Sequence, residues 1–196
     1  MLTESAQLLP LLPPGSVNLK GMLTAYLALG ANLPSPAGLP GATLAAAADR
    51  LAKLGRITAR SSLYSTAPAG LADQPRYLNA VVALETELGP LALLSDLLNI
   101  ELEFGRDREG VPSNAPRTLD LDILFYGDVV LALSDLDLPH PRFAERDFVL
   151  IPLNEIASEL RDPRSQNTVA QLLQNLPTNP AQNAVVAVQS DLWPAK

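Results

Sequence analysis

Hydrophobic positions along the chain follow two periods, one suited to strands and one to helices. From Ala25 to Leu29 a short apolar run closed by Gly30 predicts a strand, and the Pro- and Gly-rich stretch 32–41 predicts a loop. Leu44, Ala47, Ala48, Leu51 and Leu54 then recur at helical spacing, with Gly55 in the C-terminal cap position, so a helix is expected over 43–54. Residues 57–65 read as a strand, 67–76 as a loop punctuated by Pro68, Gly70 and Pro75, and 77–86 as a third strand. Leucines at 91, 94, 97, 98 and 102 predict a second amphipathic helix over 91–104, stopped by Gly105. After a loop ending at Pro116, residues 118–126 read as a fourth strand. The order β-α-β-β-α-β is a split βαβ pattern, so the expected fold class is α+β, a ferredoxin-like sandwich with an antiparallel sheet.

Beyond Gly127 the pattern predicts a short strand at 129–131, a loop through His140, and additional C-terminal helices over 146–157 and 168–176. The tail after Pro177 is rich in Asn, Gln, Ala and Pro, and its 184–188 run could add an edge strand. The expected organisation is a loose N-terminal extension over 1–22, one domain over 23–176 and a tail over 177–196, with Met22 offering an alternative start. Pro10, Pro13 and Pro14 interrupt the apolar segment 8–12 and no small-residue cleavage site follows, which argues against a secretory signal. No stretch approaches the roughly 18 uninterrupted apolar residues of a membrane span.

Composition narrows the chemistry. The 196 residues are 47% hydrophobic and 18% charged, enough apolar content to bury a core. Fourteen Lys and Arg against 21 Asp and Glu give a net charge of −7, which disfavours nucleic-acid or anionic-membrane partners. The absence of cysteine excludes disulfides, thiolate nucleophiles and iron–sulfur clusters, and a single histidine, His140, excludes multi-histidine metal sites. The lack of both cysteine and a secretory signal points to the cytoplasm. Carboxylates, arginines, amides and hydroxyls remain, and oxygen donors suit hard cations such as magnesium.

The segment Pro116-Arg117-Thr118-Leu119-Asp120-Leu121-Asp122-Ile123-Leu124-Phe125-Tyr126-Gly127 is the most informative. In a strand Leu119, Leu121, Ile123 and Phe125 would share one face, and Asp120 and Asp122 the other. The two carboxylates then point the same way, with Cα atoms roughly 6 to 7 Å apart, a spacing suited to a pair of magnesium ions about 3.5 to 4 Å apart. A solvated face with two exposed acids would produce the same pattern. Around it Arg106, Arg108, Arg117, Arg142 and Arg146 gather five of the fourteen basic residues. Arginine forks beside metal-binding carboxylates form a phosphoryl-transfer site, although surface pairing with Asp107, Glu109, Glu145 and Asp147 is the plainer alternative. No P-loop or kinase Gly-rich loop is present. Tyr77 and Asn79, two apart on the third strand, share a face and could stack on and read a heterocycle, or simply pack.

Taken together, Leu29-Gly30-Ala31-Asn32-Leu33, Tyr64-Ser65-Thr66-Ala67-Pro68, the run 73–81, Gly105-Arg106, the 116–127 segment, Pro139-His140-Pro141-Arg142 and the run 146–153 resemble the 6-hydroxymethyl-7,8-dihydropterin pyrophosphokinase family. The resemblance implies transfer of the β,γ-pyrophosphoryl group of ATP to the pterin hydroxymethyl oxygen, with AMP released, by a monomer acting in folate biosynthesis. It implies Asp120 and Asp122 as ligands of two magnesium ions, Arg106 and Arg117 as mobile-loop catalytic arginines on the phosphates, and His140 and Arg146 as further ATP contacts. Tyr77 and Phe148 would sandwich the pterin, with Asn79 and the segment Thr66, Ala67, Pro68 and Ala69 at its hydrogen-bonding edge. The loop 109–115 lacks the tryptophan that some members carry, the only one being Trp193, and Leu98 stands where some have a polar ATP contact. Gly110 and Pro112 within 105–116 suggest a lid over the nucleotide. A nucleotide-binding module without turnover and a kinase producing ADP are the competing readings.

Overall fold

The computed structural model describes residues 21–68, 74–108, 115–177 and 185–195. Its elements are β1 (Leu23–Ala31), α1 (Pro40–Leu51), β2 (Arg56–Arg60), β3 (Leu63–Thr66), β4 (Tyr77–Thr86), α2 (Pro90–Glu103), β5 (Asp120–Tyr126), β6 (Leu131–Ala132), β7 (Asp137–Leu138), α3 (Asp147–Ala157), α4 (Val169–Gln174) and β8 (Val186–Val188). The main sheet runs β5-β1-β4-β3-β8, with β2 also on β4, and every pairing is antiparallel. This is the ferredoxin-like sandwich expected from the element order, extended by α3, α4 and an edge strand. A separate ribbon pairs β6 with β7.

Alternation along the strands sorts residues onto two faces. Ala25, Leu27 and Leu29 of β1, Ala80, Val82 and Leu84 of β4, and Leu121 and Ile123 of β5 pack with Leu44, Leu51, Leu93 and Leu97 of α1 and α2. Both helices start with proline in the first turn, where its missing N–H costs nothing. The opposite face is divided. At one end Val81, Leu124 and Phe125 are covered by Val149, Leu150 and Leu153 of α3 and by Val169 of α4. The other end carries polar residues and forms the floor of the site.

Two strands depart from the expected pattern. The single strand expected over 57–65 is broken into β2 and β3 at Ser61, whose N–H donates to Val81 O at 2.9 Å while its Oγ accepts from Val81 N at 2.9 Å. A hydroxyl that substitutes for a ladder partner lets the strand gain residues against β4 and turn. In β5, Tyr26 faces Phe125 but Leu27 faces Ile123, so Leu124 is an extra residue. This bulge reverses the alternation, and Phe125 lies on the α3 face against Tyr26 and Phe143, not with Leu121 and Ile123 as expected. The edge strand at the chain's end is present as β8 on β3. Trp193 beyond it is 3% exposed and donates its indole N–H to Ser61 O at 2.7 Å.

Candidate active site

The floor of the site is a row across three strands, because Gly30 of β1 faces Asn79 on one side and Asp120 on the other. A Cβ at Gly30 would lie 3.0 Å from Asn79 Oδ1 and 3.9 Å from Asp120 Cβ, so glycine allows the amide and the carboxylate to approach. One step along, Ala28 faces Asp122. The two carboxylates share one face as the alternation requires.

Basic side chains surround them. Arg117 Nη1 donates to Asp120 Oδ2 at 2.7 Å, and Arg106 Nη2 lies 3.5 Å from Asp120 Oδ1. His140 Nε2 stands 4.0 Å from Asp122 Oδ2. The Arg142 N–H donates to His140 Nδ1 at 3.1 Å, which leaves Nε2 as the proton-bearing nitrogen of the neutral ring, facing the carboxylate. Although part of the Asp122 side chain meets solvent, crowding by protein pushes its pKa up, Asp120 adds to this, and His140 and Arg146 oppose it. Burial lowers the pKa of His140, Arg106 and Arg146, and neighbouring arginines contribute in each case. Burial also works against charge on Arg117, but Asp120 and Tyr77 outweigh it. Arg106 Nε is buried and has no hydrogen-bond partner among the described residues. A buried guanidinium donor with no acceptor carries a desolvation cost that an anion would relieve.

The residues expected at the pterin lie on the β4 side of this row. Asn79 is 8% exposed and donates to Thr66 Oγ1 at 2.8 Å, so β3 and β4 present one polar edge. Ala67 and Pro68 continue from β3 half-buried, whereas Ala69 lies outside the described residues. Tyr77 donates its hydroxyl to Ala115 O at 3.2 Å, and the Arg117 guanidinium lies 5.8 Å from its ring centre. Phe148, in the first turn of α3, is half-buried with Arg146 5.6 Å from its ring centre. The two rings make no ring contact with each other among the described residues. Leu98 is exposed on α2, and 109–114, the middle of the expected lid, lies outside the described residues.

Three features escaped the sequence reading. Asn32 is 3% exposed and acts as a junction: its Oδ1 accepts from Arg117 N at 2.7 Å and its Nδ2 donates to Pro75 O at 3.1 Å. It thereby fixes the approaches to β4 and β5 from the end of β1. Glu101 of α2 is fully buried, accepts the Leu121 N–H at 2.8 Å and pairs with Arg108. It satisfies an edge-strand N–H between the two aspartates. Its signal was an acid four residues after Leu97, on the helix's apolar stripe. Burial raises its pKa, with Arg108 and the Leu121 N–H opposing. Lastly, a cavity of about 250 Å³ opens beside Asp122 and His140, walled by Leu94, Leu133, Leu136 and Asp137.

Among the described residues no group of three or more His, Asp or Glu side chains is arranged to hold a metal. Two carboxylates that crowd one another nevertheless fit magnesium, which keeps waters and takes substrate phosphates for its remaining positions. A ferredoxin-like sheet with an acidic pair set among arginines suits the class of transferases that act on phosphate groups with magnesium bound.

Comparison with known proteins narrows that class. The family model described as 7,8-dihydro-6-hydroxymethylpterin-pyrophosphokinase matches residues 26–158. The 2-amino-4-hydroxy-6-hydroxymethyldihydropteridine pyrophosphokinase of Haemophilus influenzae is 47% identical over 145 residues, 74% of this chain and 88% of that protein. The protein of the same name from Pseudomonas aeruginosa is 49% identical over 138 residues, 70% of this chain and 83% of its own length. Wild-type HPPK-DHPS of Plasmodium falciparum, solved with STZ-DHP, shares the fold with a TM-score of 0.60 at 18% identity, over 79% of this chain and 43% of that one. The chain belongs to the 7,8-dihydro-6-hydroxymethylpterin-pyrophosphokinase family. It is a transferase of folate biosynthesis, moving pyrophosphate from ATP to 6-hydroxymethyl-7,8-dihydropterin.

Proposed function

We propose that the transfer takes place over Asp120 and Asp122, with the nucleotide on the β5 side of the row and the pterin on the β4 side. The observation that carries this reading is the pair of carboxylates on one face, 2.7 and 3.5 Å from two arginines and 4.0 Å from a histidine. Asp120 and Asp122 would hold two magnesium ions, which supply charge neutralisation for the phosphates and alignment of the reacting groups. Arg106, whose Nε has no partner among the described residues, and Arg117 bind the transferring phosphates. His140 and Arg146 bind the remaining nucleotide phosphates, His140 donating through Nε2. The cavity beside Asp122 takes the nucleoside.

On the other side Tyr77 and Phe148 stack on the pterin, and Asn79, Thr66 and the backbone of 67–69 bond its edge. The pterin hydroxymethyl oxygen bonds to the β-phosphorus of ATP as the bond from that phosphorus to the α,β-bridging oxygen breaks; AMP leaves with the bridging oxygen, and the hydroxyl proton passes to solvent. The chain residues hold both substrates so that the oxygen faces the phosphorus. The catalytic unit is 23–176, with 1–22 an extension and 177–196 a tail that adds β8 and Trp193 to it. The reading takes the protein as a monomer, since the residues of one chain suffice for both substrates, and as cytoplasmic, where ATP is at hand. No helix among the described residues is long and apolar enough to cross a membrane. Incubation with ATP, magnesium and the hydroxymethyl pterin is expected to yield one AMP per pterin diphosphate. ADP as the product would instead mean transfer of a single phosphoryl group, and no turnover would leave a binding module.

A further inference from the structure

The ribbon β6–β7 stands apart from the main sheet, with only two residues in each strand. An isolated two-stranded hairpin is marginal in water and needs outside support. Yet this ribbon is a wall of the cavity through Leu133, Leu136 and Asp137, and its second strand leads within two residues to His140. Leu136 and Leu138 anchor it in the α1–α2 core, and a further hold comes from outside the matched segment 26–158.

Arg164, in the connection from α3 to α4, reaches both strands of the ribbon with one nitrogen. Its Nη2 donates to Leu131 O of β6 at 3.2 Å, to Leu138 O of β7 at 2.9 Å and to the Asp137 carboxylate. The turn that presents Arg164 is itself fixed. Asp162, 7% exposed, accepts the N–H groups of Arg164 at 2.9 Å and Ser165 at 3.2 Å, and an isolated bridge joins Arg161 to Thr168 at the turn's base. Arg161 Nη1 also donates to Gln166 O at 3.0 Å. The guanidinium therefore projects from a preformed loop, which lowers the entropy lost in holding the ribbon. It also places a positive charge against Asp137, one of the acids, with Asp122 and Asp135, that line the cavity and would repel the phosphates of an entering nucleotide.

We infer that Arg164 is a positioning residue for the nucleotide, clasping the β6–β7 wall and masking the Asp137 charge so that ATP can enter; this rests on the cavity being the nucleoside site. Arg164 touches neither substrate in this scheme. Its loss acts on nucleotide affinity and leaves the pterin edge on β3 and β4 alone. The side chain is 38% exposed, so its replacement removes little packing.

The test is calorimetric titration of wild type, Arg164→Gln, Arg164→Lys and Ser134→Trp with magnesium and a nonhydrolysable ATP analogue, alongside titration with pterin and steady-state rates. Arg164→Gln is expected to weaken nucleotide binding by about five- to tenfold. Pterin affinity and the rate at saturating ATP should stay within about twofold, with much of the loss recovered in Arg164→Lys, which keeps the charge. Unchanged nucleotide affinity in Arg164→Gln while Ser134→Trp, which fills the cavity mouth, abolishes binding would overturn the role of Arg164 and keep the cavity. Equal weakening of both substrates with a lowered melting temperature would reduce Arg164 to a structural residue. Undiminished nucleotide binding in Ser134→Trp would remove the cavity assignment, and the inference with it.

Discussion

Individual side chains at this site divide between those that carry charge and those that carry shape. Arg117 is tied to Asp120, whereas Tyr77 and Phe148 are uncharged rings on β4 and α3, so the two kinds of contact can be separated by mutation. Truncating a stacking ring costs on the order of 1 to 3 kcal/mol, so Phe148→Ala is expected to lose about five- to 150-fold in pterin affinity with nucleotide binding nearly unchanged. Arg117→Ala should do the reverse. Calorimetric titration of each variant with each ligand, together with its melting temperature, decides this; equal loss of both ligands in Phe148→Ala with a fallen melting temperature would make the ring a core residue. The aspartate pair was legible from sequence because a period of two must put 120 and 122 on one face. Asn32 and Glu101 were not, because their roles depend on meeting Arg117 and Leu121, 85 and 20 residues away, and no local pattern announces such a contact.

At the level of elements, strands and helices were foreseeable wherever apolar period and turn residues agreed, as in β4 and α2. Departures arose where a side chain replaced a backbone partner or a residue was inserted: Ser61 divides the second strand, and Leu124 bulges from the fourth of the expected strands. Neither leaves a mark on hydrophobic period. The chain's end is bound more firmly than its polar composition implies. Trp193 packs in the α1–α2 core, donates to Ser61 O and lies under Arg60, 5.5 Å from its ring centre. Trp193→Ala should therefore cost about 3 to 5 kcal/mol in urea unfolding, and a loss below about 1 kcal/mol would show the tail to be dispensable.

The link between α3 and β3 makes a pH prediction. Glu155 accepts from Ser62 N and Ser62 Oγ, both at 2.8 Å, and from the Tyr64 hydroxyl at 2.9 Å. Burial and this carboxylate push the Tyr64 pKa up to about 12. A folded-state pKa above the unfolded value gives stability that is fully present below pH about 10 and lost as pH rises toward the folded value. Urea midpoints should fall more steeply over that window in wild type than in Tyr64→Phe. Parallel curves would show that Tyr64 and Glu155 are not coupled.

For the molecule as a whole, the two faces of one sheet divide the labour. The α1–α2 face is closed by apolar packing and holds the strands in register, while the other face is covered by α3 only at one end and leaves the charged row open. A site of this kind works against stability. The raised pKa of Asp122 means that its stabilising protonated form is favoured at low pH and that stability is lost as pH rises through the folded value, so the ionised carboxylate costs stability at neutral pH. Function and stability should consequently respond in opposite directions when that charge is removed. The most direct measurement pairs the turnover of Asp122→Asn with its melting temperature in metal-free buffer. Turnover with ATP, magnesium and pterin should drop by roughly a hundredfold or more. The melting temperature should equal or exceed that of wild type. Wild-type turnover in Asp122→Asn, at any melting temperature, would contradict the placement of pyrophosphate transfer over this carboxylate pair.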